Sequence, residues 1–341
     1  MSAFLDDFWV LLALKLIAIA VIVPGISLVV IYAELKIGAH MQNRIGPYFA
    51  GGRWGWAQPL ADAVKFLQKE DLIPDEADRR IFKLAPMVSL MATFTVWVII
   101  PFSPTLIVQD LDLGIFYALA VSAFGTLAVL MAGWASANKY SLMGGLRAAA
   151  QLIAYELPLI LAVVGVVIQA GTMSMRGIVE AQAEPFFHIG SVGIPLPYLL
   201  QGQVIGFVIF MVAALAELSR IPFDLPIAES ELVMGFVTEY SGMRFTMFFL
   251  AEYAGMVGMS AIAATLFLGG YAVPWVHGDA ANWIGPFVLF AKLMLVAFLM
   301  FWARFTYPRL REDQLQAFAW KFLIPLGLLN LLVTALFKVA L

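Results

Sequence analysis

The side chains in this chain best suited to chemistry are carboxylates set into long apolar runs. Glu156 lies about ten residues into one run, roughly 15 Å deep at the rise of a helix. Glu217 closes the next run, Glu252 lies about two turns into the one after, and Lys292 about two turns into the seventh. Glu34 ends the first run, and Asp62, Asp224, Glu229, Glu231 and Glu239 cluster around the run ends on one side. An ionised side chain at the bilayer centre costs about 2.5–3.5 kcal/mol or more, so such groups face protein or water and mark function. A carboxylate partly shielded from water holds its proton more tightly, and a row of them joined by water passes protons along. In the competing structural reading, Lys292 neutralises Glu156, and Arg220 neutralises Glu217 or Asp224. Single residues fit either reading. The cluster exceeds what packing requires and favours proton relay.

A second set is basic and aromatic. Gln42, Arg44 and Arg53, with Trp54 and Phe66 nearby and Asp62 between them, suit a polar-headed, lipid-tailed ligand that enters sideways from the membrane. The same residues suit lipid phosphates or a soluble partner, and chemistry alone leaves these readings equal. No cysteine is present, which removes disulfides, cysteine-held zinc and any iron–sulfur cluster on this chain. His40, His188 and His277 show no metal-ligand spacing, so no metal site is expected. No nucleotide loop or Ser/His/Asp constellation is found, and a net charge of -3 gives no basis for a nucleic-acid partner.

The elements that must hold these groups are membrane helices. Hydrophobic residues make up 62% of the 341 and charged residues 13%, an apolar excess that a soluble surface cannot cover. A span needs about 20 mostly apolar residues, and such runs fall near 8–33, 82–102, 115–136, 147–170, 198–217, 245–270, 285–305 and 316–339. The expected fold is an all-α integral membrane bundle of about eight transmembrane helices, forming a single polytopic domain over 1–341. All Lys and Arg except Lys15, Arg176, Lys292 and Lys338 fall in alternate loops on one side, which places that side in the cytoplasm. Both termini then face outward, with Asp6, Asp7, Asp110, Asp112 and Asp279. Lys15, near an outer helix end, reads as snorkelling. Met1 to Asp7 has two acids and no basic stretch, so a cleavable signal is not expected.

Two inner loops are more than connectors. Leu60, Val64 and Leu67 recur at helical spacing opposite Asp62, Lys65 and Lys69, which predicts an amphipathic helix at the cytoplasmic interface. In the second, Pro222 and Pro226 break the helix, and Glu229 to Tyr240 is predicted to resume one.

These loops carry long motifs: AELKIGAHMQNRIGP (33–47), GGRWGWAQPLADAVKFLQKE (51–70), AGWASANKYSLMGGLRAAAQLIAYELPL (132–159), AELSRIPFDLPIAESELVMGFVTEYSGM (216–243), RFTYPRLREDQL (304–315) and WKFLIPLGLLN (320–330). With them the chain resembles the NuoH-type membrane-subunit family of proton-pumping NADH:quinone oxidoreductase, respiratory complex I. The resemblance implies a subunit at the heel of that complex, in a bacterial inner membrane. The first span, the amphipathic helix and the sixth span would form a quinone access tunnel, with Arg44 and Arg53 along it and Asp62 on the amphipathic helix. Glu156, Glu217, Glu229, Glu231, Glu239 and Glu252 fall at the family's acidic funnel, which passes the effect of quinone reduction to antiporter-like subunits. The substrate is a quinone, ubiquinone or menaquinone. NAD, FMN and the iron–sulfur clusters belong to partners. Those partners are hydrophilic quinone-site and iron–sulfur subunits, antiporter-like and small membrane subunits, and lipids.

Some positions depart from the pattern. Leu35 replaces a common arginine, Tyr48 and Ala137 replace asparagines, and Ile227 replaces a glutamate, removing one acidic position from the PFDLP loop. The competing classes are the membrane component of a related energy-converting hydrogenase and a proton-coupled secondary transporter. The inverted repeats common in transporters are not seen here.

Overall fold

A computed structural model describes residues 8–189, 192–274, 276 and 278–340; Met1 to Asp7 and His277 lie outside the described residues. The first helix, α1 (Phe8–Met41), is 34 residues long. At about 1.5 Å per residue it is longer than the hydrocarbon layer is thick. An interfacial helix, α2 (Gln58–Gln68), follows, then α3 (Arg79–Val96), α4 (Gly114–Ala135), α5 (Lys139–Ala170) and the short α6 (Met175–Ala183). An antiparallel hairpin, β1 (Pro185–Ile189) and β2 (Val192–Pro195), precedes α7 (Val204–Glu217). The chain continues through α8 (Glu229–Leu232), α9 (Gly242–Phe267) and α10 (Asp279–Thr306). It ends with α11 (Glu312–Phe318) and α12 (Ile324–Ala340), joined by a π-helical turn.

Among the described residues seven helices are long and apolar enough to cross a membrane, and α7 is a shorter apolar helix. The all-α membrane bundle is therefore as expected, with one small hairpin added. The fifth apolar run differs in extent. Its helix starts at Val204 rather than 198, because Pro197 and a left-handed Gly202 (φ 101°) hold the preceding residues in turns. Its 14 residues span about 21 Å.

Local sequence explains the helix ends. Asp78 caps α3 by accepting from the Arg80 and Ile81 amides, and Asn138 caps α5 by accepting from the Tyr140 amide. Gly171 closes α5 in the left-handed region, where its amide donates to the Val167 carbonyl.

The loops sort into two ends, each tied by hydrogen bonds. At the basic end the Asp78 amide donates to Ala135, Asn138 reaches Glu239, and the Leu310 amide donates to Pro222. At the other end Lys15 donates to the Val108 carbonyl, Thr105 to Asn282, and Lys338 to the Gln169 carbonyl. Lys15 is thus anchored to the neighbouring loop.

Helix α9 is the axis of the core. From Met256 to Phe267 every residue is buried, and only Ser260 and Thr265 interrupt its apolar surface. In α2, Pro59, Asp62, Ala63 and Phe66 turn inward while Leu60, Val64 and Leu67 face out, as an interfacial helix requires. Asp62 therefore lies on the packed face, where it accepts from Gln58 at 3.0 Å and sits 3.8 Å from Lys65.

The stretch from Glu229 to Tyr240 is not one helix. It breaks after Leu232 at a left-handed Val233 (φ 62°) and turns again at Gly235 (φ 56°). Close packing imposes this: a Cβ on Gly235 would fall 1.7 Å from the Pro226 carbonyl oxygen, and one on Gly144 of α5 would fall 2.7 Å from the Gly235 Cα. The loop folds back on itself and lies against α5, with no room for one continuous helix.

Candidate functional site: a buried ion cluster beside an acidic cavity

Helix α7 ends at a left-handed Ser219 (φ 51°), with the Arg220 amide donating to the Leu215 carbonyl. That turn aims the Arg220 side chain into the bundle, where 3% of it is exposed. Its Nη1 donates to both oxygens of Glu34 at 2.9 Å, and its Nη2 lies 3.0 Å from Glu252 Oε1. The guanidinium also covers the Tyr253 ring at 4.5 Å. Arg304, from the last turn of α10, pairs with Glu34 as well. Four segments meet at this cluster: α1, the α7 terminus, α9 and α10. Burial alone would loosen the Arg220 proton, but Glu252 and then Glu34 reverse that and hold the guanidinium charged.

Next to the cluster lies a cavity of about 420 Å³ lined mainly by α3, α4, α5, α7, α9 and the loop before α9. Glu217, Glu229, Glu252 and Arg304 line it, with hydroxyls from Ser122 and Ser219. A third of the Glu252 side chain remains exposed, and Glu252 lines this space. Oxygen Oε2 of Glu217 is buried with no hydrogen-bond partner among the described residues. Such an oxygen calls for a water or a proton of its own. Glu156 on α5 is an electrostatic neighbour of Glu217.

The loop between α7 and α9 is held by charges. Asp224 accepts from Arg309 at 3.2 Å, and Arg309 also reaches Ser230. Arg147 of α5 binds Glu231 at 2.6 Å and lies 3.5 Å from Glu312. Asn138 donates to Glu239 at 2.5 Å. Burial raises the Asp224 pKa above the ordinary carboxylate value, more than the Arg309 hydrogen bond and charge lower it.

Of the expected acids, Glu34 and Glu252 share the Arg220 cluster, while Glu217 and Glu229 line the cavity with Glu252. Asp224, Glu231 and Glu239 lie outside these two groups, each with its own basic or amide partner. The expected neutralising pairs do not form. Lys292 donates to the carbonyls of Gly270 at 2.8 Å and Ala272 at 3.1 Å, and so caps the chain leaving α9. It makes no ion pair with Glu156 among the described residues. Arg220, turned at Ser219, pairs with Glu34 and Glu252 rather than with Glu217 or Asp224.

The basic and aromatic set is looser. Arg44 Nε donates to Gln42 at 2.8 Å, and Arg53 lies over the Trp54 ring at 6.0 Å. Tyr32 of α1 donates to the Trp54 carbonyl, which ties this loop to α1. Phe66 begins a file of rings: Phe66 to Phe245 at 5.6 Å, Phe245 to Phe249 at 6.3 Å, and Phe249 to Tyr253 at 4.8 Å. Because Phe245, Phe249 and Tyr253 are spaced by four on α9, the file runs from α2 to the Arg220 cluster.

The member of the cluster that sequence reasoning missed is Arg304. It sits at the very end of the apolar run 285–305, where it counts among the basic residues of the adjoining loop rather than as a charge set into a span. Its role as a second partner of Glu34 had no sequence signal, since 270 positions separate the two.

A many-helix membrane protein with a buried ion cluster beside an acidic cavity defines the class. The chain belongs to the NADH dehydrogenase family, whose sequence profile it matches over residues 14–335. It is 45% identical over 331 residues to a protein of Dehalococcoides mccartyi, covering 97% of this chain and 88% of that one. It is 46% identical over 323 residues to one of Anoxybacillus flavithermus, with 94% and 92% covered. It is 43% identical over 338 residues to one of Bacillus cytotoxicus, with 99% and 96% covered. Each of the three is named as a subunit of NADH-quinone oxidoreductase, and the same one in every case.

Proposed function

We propose that this chain is the membrane subunit of a multisubunit, proton-translocating NADH:quinone oxidoreductase, where it admits quinone and couples its reduction to proton movement. The observation that carries this is the Glu34–Arg220–Glu252 ion cluster, with the ring file from Phe66 on one side and the acidic cavity on the other. On this reading a ubiquinone or menaquinone enters beside α1, α2 and α9, past Gln42, Arg44, Arg53, Trp54, Asp62 and Phe66. Reduction of its headgroup changes the local charge, and buried ion pairs respond strongly to such a change. Glu34 and Glu252 feel it first. Glu217 and Glu229 in the cavity, Glu156 beside it, and Asp224, Glu231 and Glu239 in the loop carry it onward.

Lys292 is left out of this relay because its bonds serve the end of α9. The redox groups, FMN and iron–sulfur clusters, sit on partner subunits, which also supply the rest of the quinone site and the antiporter-like pumps. The single membrane domain lies in a bacterial inner membrane with its basic loops in the cytoplasm and both termini outside. The membrane component of a hydrogenase would lack the quinone track, and the ring file favours the quinone reading over it.

Mild-detergent purification of the tagged chain tests the assembly. Flavin and iron–sulfur absorbance should co-purify, with NADH:quinone activity blocked by rotenone or piericidin; solute uptake by the lone chain in liposomes would refute the reading. Glu217→Gln should lower quinone-coupled pumping while NADH oxidation by an artificial acceptor persists.

A further inference from the structure

The acidic cavity has a chemistry that proton relay does not require. Five phenylalanines line it (Phe210, Phe236, Phe245, Phe248 and Phe249), and most of the remaining wall is aliphatic. At about 420 Å³ it falls within the size range of small-molecule sites. Its one cationic lining residue, Arg304, is already paired with Glu34, and no lysine lines it. Glu252 is matched by Arg220, whereas Glu217 is hydrogen-bonded by neutral Ser122 and pairs with no cation among the described residues. An anion would meet uncompensated carboxylates here. A neutral apolar molecule would leave the Glu217 carboxylate without a countercharge, at the cost of a buried charge that nothing pairs. A cation with an apolar body meets both demands, because phenylalanine faces attract cations and a carboxylate completes the pairing.

We propose that this cavity is a binding site for lipophilic amines, compact aromatic or aliphatic bodies bearing one protonated nitrogen, with that nitrogen at Glu217 and the body among the phenylalanines. The site rests on the cavity and its lining alone. Its consequence, that an occupying amine blocks the carboxylates and lowers proton pumping, rests on the proposed relay.

The test uses the complete detergent-purified complex and 4-(aminomethyl)benzophenone, a photoreactive amine that fits the volume, against its neutral analogue 4-(hydroxymethyl)benzophenone. After illumination and digestion, mass spectrometry should find amine adducts on lining residues such as Met175, Met234 and Met259, at least tenfold above the alcohol. Glu217→Gln should bring amine labelling down to the alcohol's level. Gly125→Leu should do so by filling the space, since a Cβ on Gly125 meets nothing within 4 Å. Equal labelling by amine and alcohol would overturn the site, as would adducts confined to α2 or the lipid face. So would full amine labelling of assembled Glu217→Gln and Gly125→Leu complexes. Selective labelling with unchanged pumping would uphold the site and refute the relay.

Discussion

Arg220 and Glu34 are 186 positions apart in sequence, yet the Arg220 Nη1 donates to both Glu34 carboxylate oxygens at 2.9 Å. With side chains only 3% and 4% exposed, this pair is deeply buried, and it ties the long first helix to the end of the short α7. Glu252 and Arg304 extend it, so removal of any one member leaves an uncompensated charge in a medium of low dielectric.

Arg220→Met is therefore expected to lower stability by about 3–5 kcal/mol, the usual cost of breaking a buried pair by removing one partner. Glu34→Gln should cost less, because Glu252 still faces Arg220. The double variant should fall well short of the sum of the two, since it removes both ends of one interaction. Thermal inactivation of the purified complex measures all three, and strict additivity would show that the pair is not coupled.

Asp224 should keep its proton above the ordinary aspartate range. Its raised pKa means that the folded state binds this proton more tightly than the unfolded state. Its contribution to stability is thus full below about pH 3.8 and is lost as pH rises through the folded value. Infrared difference spectra should show a protonated carboxyl band that persists above that pH and is absent in Asp224→Asn.

Gly235→Ala should dislodge the loop between α7 and α9. Its Cβ would collide with the Pro226 carbonyl, and alanine disfavours φ near 56°. A loss of about 3 kcal/mol or more is expected. Limited proteolysis should cut the variant between 220 and 241 faster than the parent.

Lys292→Met removes the donor to the Gly270 and Ala272 carbonyls and should cost about 1–3 kcal/mol. Complexes that assemble should keep their ratio of protons pumped to electrons transferred. A changed ratio at normal stability would return Lys292 to the relay.

Phe66→Leu shortens the ring file at its interfacial end. The KM for quinone should rise several-fold while NADH oxidation by an artificial acceptor is unchanged. Equal loss of both activities would point to faulty assembly instead.

The sequence by itself determined the membrane class, the number of apolar runs, the basic end of the bundle and the presence of α2, because each follows from local composition and period. Long apolar runs, proline breaks and helical spacing act over fewer than thirty neighbouring residues. It also marked the acids, since a charge within an apolar run stands out wherever the chain folds. Only the tertiary structure decided how those acids are used. Arg220 faces Glu34 and Glu252 because a left-handed Ser219 turns it there, and Arg304 joins them from α10. Lys292 was as conspicuous in the sequence as Glu156, yet it bonds to carbonyls beyond α9, because helix rotation and crossing set its reach. The stretch Glu229 to Tyr240 has a helical pattern, but contacts with Pro226, three residues before it, and with Gly144, far away in sequence, break it. Pairing and packing depend on side-chain directions in three dimensions, which local period does not encode.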